Sequence, residues 1–218
     1  RAWYYPIKNE SFQNTIDREV FNARNKAGIL DASTLGKIDI RGPDAGKFLD
    51  LIYTNNWSNL KVGKCRYGLM LKDDGMVMDD GVTSRLSDNH FHMTTTTGGA
   101  TNVMNWLEEW HQTEWPKLKV FMTSVTEAWS VISISGPKAR DVLRAAHCSI
   151  DLSNDAFEFM SFKEGEINGI PVRVFRISFT GELSFEINTP ARYGIQLWEI
   201  LIKNCLLYTS PSPRDRRL

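Results

Sequence analysis

The fold is set by residues 38–45, IDIRGPDA, which return 94 positions later as residues 132–139, ISISGPKA. Each stretch is a short alternating strand, then a Gly-Pro break, then a helix start with proline where a missing N–H is tolerated. The same offset carries Asp74-Gly75 onto Asn168-Gly169, and both pairs favour two-residue turns between antiparallel strands. Further matches at this offset are residues 91–93 with 185–187 and residues 100–110 with 194–204. Together these coincidences predict an internal duplication.

Each half is expected to run strand, helix, strand, tight turn, strand, strand, helix. The elements of the first half are expected near residues 36–41, 43–53, 66–71, 76–85, 91–96 and 99–114. Those of the second half are expected near residues 129–135, 137–146, 158–164, 170–178, 183–188 and 191–204, and a further helix near residues 17–27 precedes the first half. Because strands joined by two-residue turns are antiparallel, the pattern predicts an α+β fold with internally duplicated antiparallel sheets.

Composition excludes several classes of protein. Lys+Arg and Asp+Glu both number 26 in 218 residues, and zero net charge removes the electrostatic signature of a nucleic-acid or membrane-surface binder. No apolar run approaches the ~20 residues that span a bilayer. Three cysteines without zinc-type spacing indicate neither a disulfide framework nor a structural zinc, so a cytoplasmic location is expected. His90 and His92 share a strand face, but no third ligand accompanies them, so no metal site is predicted.

Both ends of the sequence are expected to be truncated. The chain begins at Arg1 without an initiator methionine, and residues 1–16 are interpreted as an N-terminal extension. One domain is expected over residues 17–204, with duplicated halves at about 29–118 and 123–204. Residues 205–218 show neither the strand period of 2 nor the helix period of 3.6, and they resemble a translated library adapter. They are therefore expected to pack against nothing specific, and this includes Cys205. The alternative is an ordinary disordered tail.

Two carboxylates interrupt an apolar strand in GMVMDDGV, residues 75–82. Alternation puts Asp79 and Asp80 on opposite faces, with Asp79 on the face of Val77, so one of the two is expected to be buried. The pattern fits an edge-strand charge beside a turn. It also fits a carboxylate in an apolar pocket that accepts hydrogen bonds from a ligand and stabilises positive charge.

Two other features have both a structural and a functional interpretation. Glu182 and Glu186 in SFTGELSFEI, residues 178–187, share a face if the strand is regular, and an acidic pair of this kind is usually solvated. Tyr67 lies between two glycines at the start of a strand, where a tyrosine most often serves packing.

Several motifs together resemble the folate-binding domain of the aminomethyltransferase (glycine-cleavage T-protein) family over about residues 17–204. They are NKAGILDA at 25–32, the two Gly-Pro helix starts, Tyr67 twelve residues before Asp79 in GMVMDD, and FTGELSFEI at 179–187. Three stretches are more similar still to the C-terminal part of the sarcosine oxidase α-subunit branch: DASTLGKIDIRGPDA, YGLMLKDDGMVMDDG and RISFTGELSFEINTPARYG.

The resemblance implies roles for four residues. Asp79 would be the catalytic group beside the reactive folate nitrogens, Glu186 would hold the pterin ring, and Tyr67 would line the folate cleft. Phe179, seven residues before Glu186, stands where many relatives have Tyr; it would contact folate without a hydroxyl group and favours the sarcosine oxidase branch. The C-terminal third of the family fold, which carries further folate contacts, is not represented in this sequence.

The resemblance also implies a reaction: transfer of the one-carbon unit of an oxidised N-methyl amine, a small-molecule substrate, to tetrahydrofolate. FAD, FMN and NAD are implied only for the complete enzyme, in upstream sequence and in the other subunits of a hetero-oligomeric oxidase. Two alternatives remain open. One is a stand-alone aminomethyltransferase of the glycine cleavage type, and the other is a non-catalytic folate-binding accessory protein.

Overall fold

A computed structural model describes residues 10–205 and confirms the α+β fold with two antiparallel sheets. Within those residues the helices are α1 Phe12–Asn25, α2 Ala45–Ile52, α3 Ala100–Thr113, α4 Ala139–Ala145 and α5 Gly194–Cys205. The strands are β1 Gly28–Asp31, β2 Gly36–Arg41, β3 Cys65–Leu71, β4 Val77–Ser87, β5 His90–Thr95, β6 Phe121–Ser124, β7 Trp129–Ser135, β8 Ser161–Ile167, β9 Ile170–Arg176 and β10 Ser184–Pro190.

The two sheets repeat the same strand order, which confirms the predicted duplication. One sheet runs β6-β2-β5-β4-β3 and the other runs β1-β7-β10-β9-β8. Strands β2 to β5 of the first half therefore correspond in order to β7 to β10 of the second half. The Gly-Pro helix starts produce α2 and α4, and α3 and α5 follow the last strand of each half.

The two outer strands β1 and β6 are exchanged between the halves. Each precedes the first strand of its own half in sequence but pairs in the sheet of the other half. Strand β1 lies antiparallel to β7, with Asp31 opposite Ile132, while β6 lies antiparallel to β2, with Ser124 opposite Ile38. Neither strand was predicted from the sequence, because four residues are too few to show a strand period.

The chain divides into two compact units that follow this exchange. The first-repeat unit is residues 33–129 with 160–162, and the second-repeat unit is residues 10–32, 130–159 and 163–205 within the described part of the chain. Each has its own apolar core. In the first-repeat unit the buried core includes Ile38, Ile40, Phe48, Leu49, Phe91, Met93, Val103 and Leu107. In the second-repeat unit it includes Ile132, Ile134, Val142, Leu143, Phe185, Ile187, Leu197 and Leu201.

Three local predictions need correction. Helix α1 begins at Phe12 rather than near residue 17, because the Ser11 side chain caps it by accepting the Asn14 N–H at 3.1 Å. Glu182 does not share a strand face with Glu186, because β10 starts only at Ser184, after Gly181 with φ +87°; Glu182 instead pairs with Arg24 of α1 at 3.2 Å.

The third correction concerns Cys205. It is the last residue of α5 and is buried in the second-repeat core, so the expectation that it packs against nothing is wrong. The remainder of the expected tail, residues 206–218, lies outside the described residues, as do residues 1–9 of the expected N-terminal extension. No helix between residues 10 and 205 is both long enough and apolar enough to cross a membrane.

The strand exchange predicts which unit each outer strand stabilises. Ile29 of β1 packs against the second-repeat core, and Met122 of β6 packs against the first-repeat core. Ile29→Ala should lower the stability of the β7 amides by about 1–3 kcal/mol, below the cost of a fully buried isoleucine, and leave β2 unchanged. Met122→Ala should do the reverse. Native-state hydrogen exchange measures both, and loss of protection in β2 on Ile29→Ala would contradict the exchange.

Candidate functional site

The two adjacent carboxylates of β4 point to opposite faces of the first-repeat sheet. Asp79 lies opposite Met70 and Asp80 lies opposite Leu69 on β3. A register shift between Met70 and Leu71 leaves Met78 as an extra residue of β4, which is a β-bulge. The bulge breaks the alternation, so the predicted sharing of a face by Asp79 and Val77 is wrong: Val77 is exposed, whereas Asp79 is buried.

Asp79 lies on the core face of the sheet, at the start of α3. It is 4% exposed, and its Oδ2 accepts the backbone N–H of Thr96 at 3.2 Å. A β-carbon added at Gly99, the residue before α3, would lie 2.5 Å from the same oxygen. A carboxylate is favoured at a helix N-terminus, where the helix dipole is positive. The threonine-rich loop after β5 therefore packs against Asp79.

Asp80 lies on the other face, beside Tyr67. The Tyr67 hydroxyl donates to Asp80 Oδ2 at 2.9 Å, and the Tyr67 side chain is 49% exposed. This hydrogen bond, with a smaller contribution from burial, raises the pKa of Tyr67 above its usual value. The surrounding residues of the two strands are apolar: Leu69, Leu71, Val77 and Val82. The result is a half-buried carboxylate hydrogen-bonded to a half-exposed phenol, with apolar neighbours on both strands.

Two buried aromatic side chains, Tyr53 and Trp57, pack against β3 at Gly68. The rings of Tyr53 and Trp57 lie 4.9 Å apart, and both are buried. A β-carbon at Gly68 would lie 2.6 Å from the Trp57 ring, so only glycine fits next to Tyr67 at this packing distance. Burial, together with the negative charges of Asp79 and Asp80, raises the pKa of Tyr53 despite its hydrogen bond with Thr83. The Tyr53 hydroxyl therefore stays protonated at neutral pH.

A row of buried polar side chains crosses the face that bears Tyr67 and Asp80. Its members lie side by side on four neighbouring strands: Asp39, His92, Ser84 and Cys65. His92 Nδ1 donates to Asp39 at 2.8 Å and His90 Nε2 donates at 2.9 Å. Burial opposes ionisation of Asp39, but these two hydrogen bonds hold its pKa well below the usual range. His90 and His92, considered as metal ligands from their spacing, thus bind a carboxylate.

The other two predicted site residues lie in the second-repeat unit. Glu186 is half-buried on β10, opposite Phe175 of β9, on the face away from the core residues Phe185 and Ile187. Phe179 lies in the loop between β9 and β10 and is 95% exposed. The structure thus brings Tyr67 and Asp79 into one unit and Glu186 and Phe179 into the other. Among residues 10–205, no group of three or more His, Cys, Asp or Glu side chains is arranged to hold a metal ion.

The hydrogen bond between Asp80 and Tyr67 was not predicted from the sequence. The carboxylate pair and its alternation were recognised there, but the chemistry was attached to Asp79. The register of β3 against β4 is what reveals this hydrogen bond, because that pairing puts Asp80 opposite Leu69, on the face that bears Tyr67.

Comparison with known proteins agrees with this architecture. The family model for the GCVT N-terminal domain matches residues 1–206. The chain belongs to the GCVT aminomethyltransferase family. This confirms the family predicted from the motifs.

Individual relatives of this GCVT chain are of two kinds. The α subunit of sarcosine oxidase from Corynebacterium sp. (strain U-96) is 54% identical over 200 residues, which are 91% of this chain and 21% of that subunit. The crystal structure of glycine cleavage system aminomethyltransferase T from Bartonella henselae matches with a TM-score of 0.75 and 25% identity, over 91% of this chain and 50% of that one. A chain of heterotetrameric sarcosine oxidase from Corynebacterium sp. U-96 shares the fold, with a TM-score of 0.61, 17% identity and coverage of 90% and 93%. The GCVT chain thus spans about a fifth of the first relative and half of the second.

The contact between Asp79 and α3 predicts a strong difference between two neighbouring glycines. A side chain at Gly99 would collide with the Asp79 carboxylate, whereas one at Gly98 would meet nothing within 4 Å. Gly99→Ala should therefore lower the free energy of unfolding by about 1–3 kcal/mol, the cost of overpacking, while Gly98→Ala should stay within about 0.5 kcal/mol of wild type. Urea denaturation of the two variants is the measurement, and equal stabilities would refute the close approach.

The Asp39 network predicts a pH-dependent contribution to stability. Asp39→Asn should lower the free energy of unfolding by about 1.5–3 kcal/mol near neutral pH, the scale for hydrogen bonds to a charged group. Because the pKa of Asp39 is lower in the folded chain than its value of ~3.9 when unfolded, this contribution is present above about pH 4 and is lost as the pH falls further. Denaturation of wild type and variant across this range should show the difference narrowing toward acid. A difference that widened below about pH 4 would contradict the assignment.

Proposed function

We propose that this chain is the folate-binding domain of a sarcosine-oxidase-like enzyme, in which it transfers the one-carbon unit of an oxidised N-methyl amine to tetrahydrofolate. The observation that carries the proposal is the Tyr67–Asp80 pair, a half-buried carboxylate hydrogen-bonded to a half-exposed phenol among apolar residues of β3 and β4. Membership of the aminomethyltransferase family and the identity to a sarcosine oxidase α subunit support it.

The residues present fit tetrahydrofolate. Its pterin ring is flat, with an apolar face and several N–H groups at the edge, and it matches an exposed aromatic ring beside carboxylate acceptors. When bound, tetrahydrofolate supplies the nitrogen atoms that accept the one-carbon unit. The chain's own residues bind the ring, orient it and set the electrostatic potential around the reacting atoms.

We assign the carboxylate pair two complementary roles. Asp80, fixed by the Tyr67 hydroxyl, faces the ligand and places negative charge where positive charge develops on the transferred carbon. Asp79, which the family resemblance implies as the group beside the folate nitrogens, holds β4 against the start of α3 and adds its own charge to the same strand. The proposal therefore retains Asp79 in the catalytic machinery and adds Asp80 as the residue that makes the contact.

The second-repeat unit supplies the proposed contacts to the pterin edge. Glu186 accepts paired, charge-assisted hydrogen bonds from the amide-like and guanidine-like N–H groups of the ring. Phe179 adds an apolar contact without a hydroxyl, and its near-complete exposure leaves its ring available to a ligand.

The complete enzyme requires further components in this proposal. FAD, FMN and NAD belong to sequence upstream of this chain and to other subunits of a hetero-oligomeric oxidase. The heterotetrameric assembly of a sarcosine oxidase with this fold supports such partners. A cytoplasmic location is also part of the proposal, and it is compatible with the three cysteines, none of which forms a disulfide bond within the described residues.

A stand-alone aminomethyltransferase is the second candidate, supported by the match to the glycine-cleavage enzyme. The two candidates differ in the donor of the one-carbon unit. A sarcosine-oxidase-like protein would transfer it from an oxidised N-methyl amine, whereas an aminomethyltransferase of the glycine cleavage type would take it from an aminomethyl donor. Assaying methylene-tetrahydrofolate formation with each donor separates them, and folate binding with transfer from neither would indicate an accessory protein.

The carboxylate roles predict separable effects of single substitutions. In the full-length protein, Asp80→Asn should lower one-carbon transfer by about 10²-fold, with little effect on tetrahydrofolate affinity, as for other preorganised electrostatic groups. Asp79→Asn should lower transfer to a similar extent and also destabilise the fold, because it weakens the contact to Thr96. Glu186→Ala should weaken tetrahydrofolate binding by roughly 1.5–3 kcal/mol.

Calorimetry with tetrahydrofolate and a methylene-tetrahydrofolate assay measure these effects. Asp73→Asn is the matched control, since Asp73 is an exposed carboxylate at the turn of the same hairpin. Normal transfer by both Asp79→Asn and Asp80→Asn would reduce the pair to a structural role and overturn the proposal.

A further inference from the structure

Asn188 occupies an unusual position on the strand that carries Glu186. The two residues are separated by one position on β10, so their side chains lie on the same face, away from the core residues Phe185 and Ile187. Asn188 is 2% exposed, and its Oδ1 is a buried acceptor with no hydrogen-bond donor within the described residues. Buried side-chain acceptors in folded proteins are nearly always paired, so this one indicates a partner outside the described residues.

The neighbouring polar groups on this face do have partners. Ser184 shares a hydrogen bond with Ser135 at 2.8 Å. Arg173, directly opposite Asn188 on β9, donates to Glu164 at 2.7 and 2.9 Å. The unpaired carbonyl is therefore a local feature of Asn188 and not the result of a poorly packed polar surface.

The first repeat provides an internal comparison. At the 94-residue offset, Asn188 corresponds to Thr94 and Glu186 corresponds to His92. The Thr94 hydroxyl donates to the Val82 carbonyl and accepts the Val82 N–H, both at 3.1 Å, so it is satisfied inside its sheet. At the same place in the duplicated fold, one repeat pairs its polar side chain internally and the other presents an unpaired acceptor beside a carboxylate.

We propose that Asn188 is a second ligand-recognition residue, which accepts a hydrogen bond from an N–H of the planar heterocycle that Glu186 binds. The inference rests on the proposed function and deepens it, because it names a residue that selects the ring. Residues two apart on a strand are roughly 6.6–6.8 Å apart along the chain, a spacing that one bicyclic ring with donors at separate edge positions can bridge. Burial keeps water from competing for this acceptor and makes recognition selective for rings that carry the donor.

The inference predicts opposite effects of Asn188→Ala on stability and on binding. Removing an unpaired buried acceptor should leave the melting temperature of the ligand-free chain unchanged or higher. The same substitution should weaken tetrahydrofolate binding by about 3- to 10-fold, the scale for one hydrogen bond. A merely structural asparagine would show the reverse combination.

Asn154→Ala is the matched control in the same unit. The Asn154 carbonyl is paired, accepting from Arg176 at 2.9 Å and also from Arg140. Its removal should lower the melting temperature and leave tetrahydrofolate affinity unchanged. Asn188→Asp is the second test variant, because it keeps an acceptor at the same place and should retain more affinity than Asn188→Ala.

Melting curves of the ligand-free chain and calorimetric titration with tetrahydrofolate decide the outcome, with Glu186→Gln measured in parallel. Lower affinity with an unchanged or raised melting temperature in Asn188→Ala supports the inference. Unchanged affinity overturns it, as does a fall in the melting temperature of the ligand-free variant. If Glu186→Gln weakens binding and Asn188→Ala does not, only this inference fails; if wild type does not bind tetrahydrofolate, the proposed function itself fails.

Discussion

One extra residue in β4, Met78, determines where the two carboxylates of the candidate site lie. The bulge lets the hairpin turn at Asp74-Gly75 close while Asp79 stays opposite Met70 and Asp80 stays opposite Leu69. One carboxylate therefore lies under α3 and the other lies beside Tyr67. Asp79, the buried member, is stabilised by a backbone N–H and by the helix dipole, and Asp80, the half-buried member, by a phenol hydroxyl. The two charges are adjacent in sequence but have different surroundings, which is what different roles require.

The two repeats share one strand order, but they carry different polar side chains at equivalent positions. Where the first repeat has His92, paired with Asp39, the second has Glu186, and Ser133 stands in place of Asp39. The first repeat thus uses this face for a buried hydrogen-bonded network. The second repeat places a carboxylate and an unpaired amide there. The two repeats thus carry different polar groups at equivalent positions of one fold.

The sequence allowed the fold to be predicted wherever structure follows from local period. The alternation of β2 and β7, the Gly-Pro helix starts and the Asp-Gly and Asn-Gly turns each encode their own geometry. Strands β1 and β6 escaped prediction because their pairing partners lie in the other repeat, so only tertiary contacts define them. Cys205 was misassigned for a related reason: its burial depends on the core beneath α5, not on the sequence that follows it.

The residues of the candidate site could be predicted from the sequence, but the directions in which their side chains point could not. Tyr67, the Asp79–Asp80 pair and Glu186 all stood out from their neighbours in sequence. The bulge at Met78 did not, because one inserted residue leaves no mark in an apolar strand, yet it decides the relation of Val77 to Asp79. The unpaired acceptor of Asn188 could not be predicted either, because the sequence does not show which hydrogen bonds an asparagine and its neighbours form. A buried polar group reveals a ligand only when every other acceptor around it has been accounted for, and that accounting needs coordinates.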